Sequence, residues 1–317
     1  MNRPRKPPRR RVDGVLLLDK PVGPSSNAAL QEAKRLLNAA KAGHTGTLDP
    51  LASGLLPLCF GEATKFSGEL LAADKHYRAT LRLGARTDSG DAEGRVIATR
   101  TGPPPGRDEI EAVLARFRGE ISQVPPMHSA LKRDGRPLYE YARQGLDVER
   151  QPRRVTISSL ELSSLAGDRL ELEIDCSKGT YVRTLADDIG EALGCGAHLT
   201  ALRRTRIGAF GIDGAVTLAT LADLPAAARD GLLLPVEALL GELPALRLDA
   251  AAAWRFGHGQ AVAAADAAGG KCRVHAADGR FLGLGRCADG WLAPVRLLAL
   301  DIEKTEDFSG GTGCGQV

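Results

Sequence analysis

The sequence predicts a chain of mixed α and β structure in two domains, a large one followed by a small one built mostly of short strands. Three observations carry this. The 317 residues are 43% hydrophobic, enough for one large core and a second, smaller one. Between residues 12 and 240, runs with strand alternation stand among runs with helical spacing. Around Gly241 to Pro244 the composition changes to an alanine-rich stretch and then to short alternating strands with turn signals between them. No internal repeat is present.

The elements follow in order. Val12 to Asp19 is an apolar run that suits a buried strand. "PVGPSSN" then makes a turn, with a helix N-cap at Ser26 or Asn27 and a helix from about Ala28 to Ala40. "GHTGTLDPLAS" places Asp49 before Pro50 and an apolar run; on those residues alone Asp49 reads as the N-cap of a helix, with the proline at its first position. "LLPLCFGEATKF" is a strand or short helix ended by glycine. "HYRATLRLG" alternates as a strand, and "RTDSGDAEGRVIATR" is a polar loop followed by another strand. "PPPGRDEIEAVLARFRGEI" starts with prolines and acids and continues with Ile110, Val113, Leu114 and Phe117 at helical spacing, a capped amphipathic helix. Residues 121 to 154 mix prolines, basic residues and two tyrosines, an irregular segment of the kind that tends to be functional or disordered. Strand, strand, turn and helix follow in "VTISSLELSSL" and "LELEIDCSKGTYVRTLADDIGEALG". Ala226 to Leu240 links to the small domain at 245 to 303, and the glycine-rich end, 304 to 317, reads as a disordered tail.

Charge is unevenly placed. The net charge is +3, yet the first eleven residues hold six Lys or Arg and no acid, which leaves the remainder acidic, so any basic surface on the folded body has to be made by clustering. Residues 1 to 11 read as a disordered basic arm; the apolar run after Arg9 to Arg11 is cut short by Asp19 and Lys20, unlike an export signal. No stretch reaches the ~20 apolar residues of a membrane span. Six cysteines are scattered without a CxxC pair, which points to neither zinc nor a disulfide framework. A cytoplasmic chain with reduced thiols and no membrane contact is expected.

Motifs for bound groups fail on inspection. "DSGDAEGR" begins like a calcium loop, but its twelfth position is Thr99, where a bidentate glutamate is needed. "DKPVGPSSN" lacks the glycines and the Gly-Lys-Ser/Thr of a phosphate loop. No metal and no cofactor are expected. Arg203, Arg204 and Arg206, with Lys132, Arg133, Arg136, Arg153 and Arg154 and the nearby Tyr139 and Tyr141, read as a second basic group suited to an RNA backbone.

Taken together and in order, "LLLDKPVGPSSN", "GHTGTLDPLASGLLPLCFGEATKFS", "DKHYRATLRLGARTDSGDAEG", "VPPMHSALKRDGRPLYEYARQG" and "CSKGTYVRTLADDIG" resemble the bacterial tRNA pseudouridine-55 synthase (TruB) family over roughly residues 12 to 303. The resemblance implies an α+β pseudouridine synthase fold, a mixed, mainly antiparallel sheet flanked by helices and loops, over residues 12 to 240. It further implies a small C-terminal β-rich PUA-like RNA-binding domain over 245 to 303.

It also implies the chemistry. A uridine in the TΨC arm of tRNA loses its N–C glycosidic bond, the uracil rotates, and C5 joins the same sugar carbon; nothing is gained or lost, so no cofactor is required. Asp49 matches the family's catalytic aspartate and Arg183 the pocket arginine, whose fork can hold a carboxylate in bidentate geometry. Tyr77 matches an aromatic that stacks on the base and can act in proton transfer. Tyr181 and Leu202 would line the base pocket, His44 would enter the space the flipped base vacates, and residues 124 to 154 would clamp the RNA with Lys132 on phosphates. A monomer without an obligate protein partner is expected. The alternatives are a non-catalytic tRNA-binding or folding protein, a glycosylase that releases the base, and a synthase acting on another RNA.

Overall fold

The computed structural model describes residues 8–100, 102–129, 131–264 and 268–299. The expected tail at 304 to 317 and most of the basic arm lie outside them. Arm residues 8 to 11, which are described, are held against the body and not loose. Arg10 bridges to Ala39, donates to the Leu37 carbonyl at 3.0 Å and pairs with Asp230. The described residues divide into two compact units, with the break between Glu242 and Leu243.

The first unit is α+β. Its nine-stranded sheet runs, along its main path, Gly14–Lys20, Ala52–Phe60, Ala197–Ile207, Lys75–Leu83, Arg169–Cys176, Arg153–Ala166 and Gly119–Gln123. Along that path every pairing is antiparallel except that of Leu202, Arg203 and Arg204 with Ala52, Ser53 and Gly54. The sheet is therefore mixed and mainly antiparallel. Ala52–Phe60 is a central strand, and all but one of its residues are buried. Its near-continuous apolar run reflects burial on both faces. Lys75–Leu83 alternates strictly, Lys75, Tyr77, Ala79, Leu81 and Leu83 inward and His76, Arg78, Thr80 and Arg82 outward, the period expected of a half-buried strand. Ile110, Val113 and Leu114 of the helix Arg107–Ala115 and Leu185, Ala186 and Ile189 of the helix Val182–Ala192 join the same apolar core.

Some boundaries differ from the sequence reading. The first helix is Ser26–Leu36, capped by the Ser25 side chain on Ala28 N, and it stops where Asn38 turns to φ 48°, a left-handed conformation that asparagine tolerates and a helix does not. Arg107–Ala115 starts at Gly106 without a side-chain cap. The irregular segment holds a two-stranded hairpin, Lys132–Arg133 with Arg136–Pro137, and a short helix Leu138–Arg143.

The second unit curls a five-stranded sheet, in the order Ala245–Arg247, Gly270–His275, Phe281–Ala288, Trp291–Leu297, Val262–Ala263. The helix Ala250–Gly257 packs Phe256 onto it and is capped by Asp249 on Ala252 N. Cys272 and Cys287 face each other there as buried thiols, Sγ to Sγ 3.8 Å. Burial and the neighbouring sulfur push Cys272 up to about 12. Among the described residues no helix is long and apolar enough to cross a membrane.

Candidate active site

A cleft of about 760 Å³ opens in the first unit, and Asp49, Tyr77, Tyr181, Arg183 and Leu202 all line it. They come from four separate parts of the chain, joined only by the sheet and the helix that starts at Val182.

Asp49 does not cap a helix. Ala52 N donates to the Asp49 carbonyl at 3.0 Å, closing a turn, and the chain then enters the strand Ala52–Phe60. Tertiary pairing overrides the local signal here. Gly54 lies between Lys20 on one neighbouring strand and Arg204 on the other, at φ 102°, which a helix cannot use. A Cβ at this position would collide with the Arg204 backbone. The turn is fixed from the first helix: Ser26, expected as a possible cap, is buried instead, donating to the Leu48 carbonyl at 2.8 Å and accepting from Leu48 N at 2.7 Å. The Asp49 carboxylate is left 40% exposed, open to whatever enters.

Arg183 stands in the first turn of Val182–Ala192 with its side chain 8% exposed. One Nη lies 3.0 Å from Asp49 Oδ2, so the contact is through a single nitrogen and not a bidentate fork. The same nitrogen donates to the His128 carbonyl at 2.7 Å, and the other Nη donates to the Ser89 carbonyl at 3.2 Å. Nε faces Asp91 Oδ2 at 3.6 Å. Asp91 is itself buried and oriented by the Ser89 hydroxyl at 2.6 Å and Glu93 N at 3.1 Å. The guanidinium fork is thus spread over two carboxylates and two carbonyls. The acidic "DSGDAEG" loop, which is no calcium site, supplies this second carboxylate. Lys20 is fully buried at the end of the strand Gly14–Lys20, donating to the Pro21 and Pro24 carbonyls at 2.8 Å each. Burial holds its ammonium below the usual lysine range, opposed by the attraction of Asp49 and Glu93.

Tyr77 is nearly buried. Burial raises its phenol above the ordinary value, and the positive charge of Arg204 works the other way. Tyr181 exchanges hydrogen bonds with Gln123 through its backbone, the Tyr181 N–H donating at 3.1 Å, and burial raises its phenol as well. Lys75, on the Tyr77 strand and in the cleft wall, is pushed down to about 8, first by burial and then by Arg204.

Two expected site residues lie outside the lining of the cleft. His44 ends the short strand Ala42–His44, half-buried, with Nδ1 enclosed and without a hydrogen-bond partner among the described residues; burial and then Arg204 hold its imidazole below the usual range. Lys132 is exposed on its hairpin, while the same irregular segment sends His128, Ser129, Tyr139 and Arg143 to the cleft. Arg143 sits over the Tyr139 ring at 5.3 Å, and Arg136 over Tyr141 at 5.0 Å.

Part of the expected basic group is taken up by ion pairs or burial, while Lys132, Arg133, Arg136 and Arg153 stay exposed. Arg203 pairs bidentately with Asp19 at 3.0 and 2.7 Å, Arg206 pairs with Asp175, and Arg154 pairs with Glu120. Arg204 is buried. Asp91, Lys75 and Arg204 were missed as site residues because the sequence shows them inside charged runs. The available signal was strand alternation, which sets Arg204 on the opposite face from Arg203. Among the described residues no group of three His, Cys, Asp or Glu side chains is placed to hold a metal ion.

Comparison with known proteins fits this architecture. Residues 34–182 match the family described as TruB family pseudouridylate synthase (N terminal domain), 183–241 the tRNA pseudouridylate synthase B C-terminal domain, and 244–298 pseudouridine synthase II TruB, C-terminal. The tRNA pseudouridine synthase B of Aromatoleum aromaticum is 62% identical over 92% of this chain and 94% of its own length. That of Burkholderia lata is 63% identical over 93% of each. Among solved structures, a Cbf5-Nop10-Gar1 complex is matched with TM-score 0.68 and 31% identity, covering 86% of this chain and 78% of that one. An H/ACA RNP bound to a substrate RNA containing 2'-deoxyuridine is matched with TM-score 0.66 and 29% identity at the same coverage. The fold is the pseudouridine synthase fold with a C-terminal β domain of PUA-like form, and the chain belongs to the TruB family of pseudouridylate synthases.

Proposed function

We propose that this enzyme isomerises the uridine at position 55, in the TΨC loop of tRNA, to pseudouridine, with Asp49 acting on a flipped-out base. Relatives named tRNA pseudouridine synthase B supply the substrate class. The observation that carries the assignment of Asp49 is its geometry: a carboxylate 40% exposed at the cleft, held 3.0 Å from a buried guanidinium.

A carboxylate can attack the nucleotide or take a proton from it, and is still available for the return step. Arg183 aims the Asp49 carboxylate, with one Nη 3.0 Å from its Oδ2. A uridine stacked in a tRNA loop is out of reach of Asp49, so it leaves the stack at a cost of a few kcal/mol. Tyr77, Tyr181 and Leu202 receive the base. Tyr77 stacks on it and exchanges a proton with it, His44 occupies the space left in the RNA, and residues 124 to 154 close over the tRNA arm with Lys132 on phosphates. On this reading the protein works as a cytoplasmic monomer and needs no protein partner.

The test is site-resolved pseudouridine mapping of tRNA from cells with and without the gene, beside an assay for free uracil with the purified enzyme. Loss of the modification at position 55 alone, with no uracil released, is expected. Release of uracil would make the protein a glycosylase, and intact modification at 55 in the deletion strain would move the substrate to another RNA.

A further inference from the structure

Arg204 is among the largest fully buried side chains of the protein, at 1% exposure. A buried guanidinium ordinarily sits against a carboxylate, because an unpaired charge in the interior costs several kcal/mol. Arg204 has no such partner among the described residues. Nε donates to the Leu55 carbonyl at 2.8 Å and an Nη to the Gly46 carbonyl at 2.9 Å. The other Nη lies against Gly46, where a Cβ would stand 3.2 Å from it and where φ is 78°. The cation is nonetheless part of the cleft wall.

The sheet sets it beside one side chain. Arg204 and Tyr77 are direct partners across antiparallel strands, so both side chains leave the sheet on the same face, with Cβ atoms about 5 Å apart. The two carbonyl bonds remove the remaining freedom of the guanidinium, and its charge lowers the cost of ionising the Tyr77 phenol. The same cation acts on the ionisable neighbours in one sense: it disfavours charge on His44 and Lys75 and favours it on the Tyr77 oxygen.

We propose that Arg204 is a positioning residue for the isomerisation, holding the Tyr77 hydroxyl at the cleft wall and stabilising the negative charge that forms on its oxygen during proton exchange with the uracil. The inference rests on Tyr77 meeting the base, as proposed above. The protons balance within the pair. As the glycosidic bond breaks, its electron pair stays on N1, and the phenol proton goes to N1, leaving a phenolate beside Arg204. Once C5 is bonded to the sugar, the C5–H bond breaks, its pair restores the C5=C6 double bond, and the proton returns to the Tyr77 oxygen. A fixed, desolvated positive charge beside the oxygen where charge develops is an effective form of electrostatic stabilisation.

A merely structural Arg204 would tie Gly46 to Leu55 and have no dependence on the Tyr77 hydroxyl. A double-mutant cycle on the single-turnover rate separates the two roles. Tyr77→Phe keeps the ring and should slow the reaction by about 10²-fold. Arg204→Lys should slow it by about tenfold or more while tRNA affinity stays within about threefold. In the Tyr77→Phe background the same Arg204→Lys change should cost less than about twofold. Equal losses in both backgrounds would overturn the role of Arg204 while leaving Tyr77 at the base. Full activity of Tyr77→Phe would instead overturn the assignment of Tyr77, and this inference with it. The contact can also be read without altering Arg204: nitrogen NMR of the full chain should show the buried Arg204 guanidinium signal shifted in Tyr77→Phe, and an unchanged signal would overturn the proposal even if Arg204→Lys fails to fold.

Discussion

Arg183 and Arg204 are both buried and both border the same cleft, yet they stand in opposite electrostatic settings. Arg183 carries Asp49 and Asp91 and two carbonyls. Arg204 holds two carbonyls and stands across the sheet from a phenol. The first charge is already matched, so its work is geometric: it fixes a carboxylate that would otherwise rotate. The second charge is unmatched and is therefore available to an oxygen whose charge exists only during the reaction. One cleft can thus hold a carboxylate fixed by one cation and a phenol whose transient charge is met by another.

The matched side breaks first and hardest. Arg183→Lys keeps the charge but cannot reach four acceptors with one ammonium, and the single-turnover rate should fall by about 10²- to 10³-fold with tRNA affinity nearly kept. Normal turnover with poor tRNA binding would make Arg183 a phosphate contact. Asp91→Asn removes the second carboxylate while keeping its shape; Arg183 is then free to swing, and a fall of about tenfold in rate is expected, measured in the same assay. An unchanged rate would show that Asp91 does not orient Arg183.

The sequence disclosed the chemistry of this cleft better than its electrostatics. Asp49, Tyr77, Tyr181, Arg183 and Leu202 are the residues that the family resemblance singles out for the base pocket, and the structure brings them to one cleft. Asp49 looked like a helix cap because Asp-Pro before an apolar run is a local signal, whereas the strand that follows is set by its neighbours and by the conformation of Gly54. "LRRTRIG" looked like one basic surface because charge runs are usually solvated. In a strand, however, successive residues point to opposite faces, and Arg203 pairs with Asp19 while Arg204 goes inside. Long-range register, absent from any short window, decided both cases.

Smaller effects sharpen the comparison. Charge reversal at Lys132 with Arg133 leaves both buried arginines untouched, so the chemical step should be unchanged at saturating enzyme. Affinity for tRNA should drop and its slope against log salt should flatten by up to about 1.8 if both residues release counterions. An unchanged slope would take the hairpin off the RNA backbone.

Lys75 reports the field on the unmatched side. Its folded value of about 8 lies below the ordinary 10.5, so between those pH values the unfolded chain holds the proton and the folded chain does not. Stability relative to Lys75→Met should therefore rise with pH across that window, by at most about 1.4 kcal/mol per unit, and level off below pH 8. Denaturant unfolding at several pH values reads this directly; a flat difference would mean that the ammonium is not disfavoured there.

The central claim is that Asp49 serves the reaction and not the grip on RNA. The most direct measurement is Asp49→Asn assayed for single-turnover pseudouridine formation and, in parallel, for tRNA affinity. A rate at least about 10³-fold lower, with affinity within a few fold, is the predicted result, because phosphate contacts supply most of the binding. Appreciable turnover by purified Asp49→Asn would contradict it.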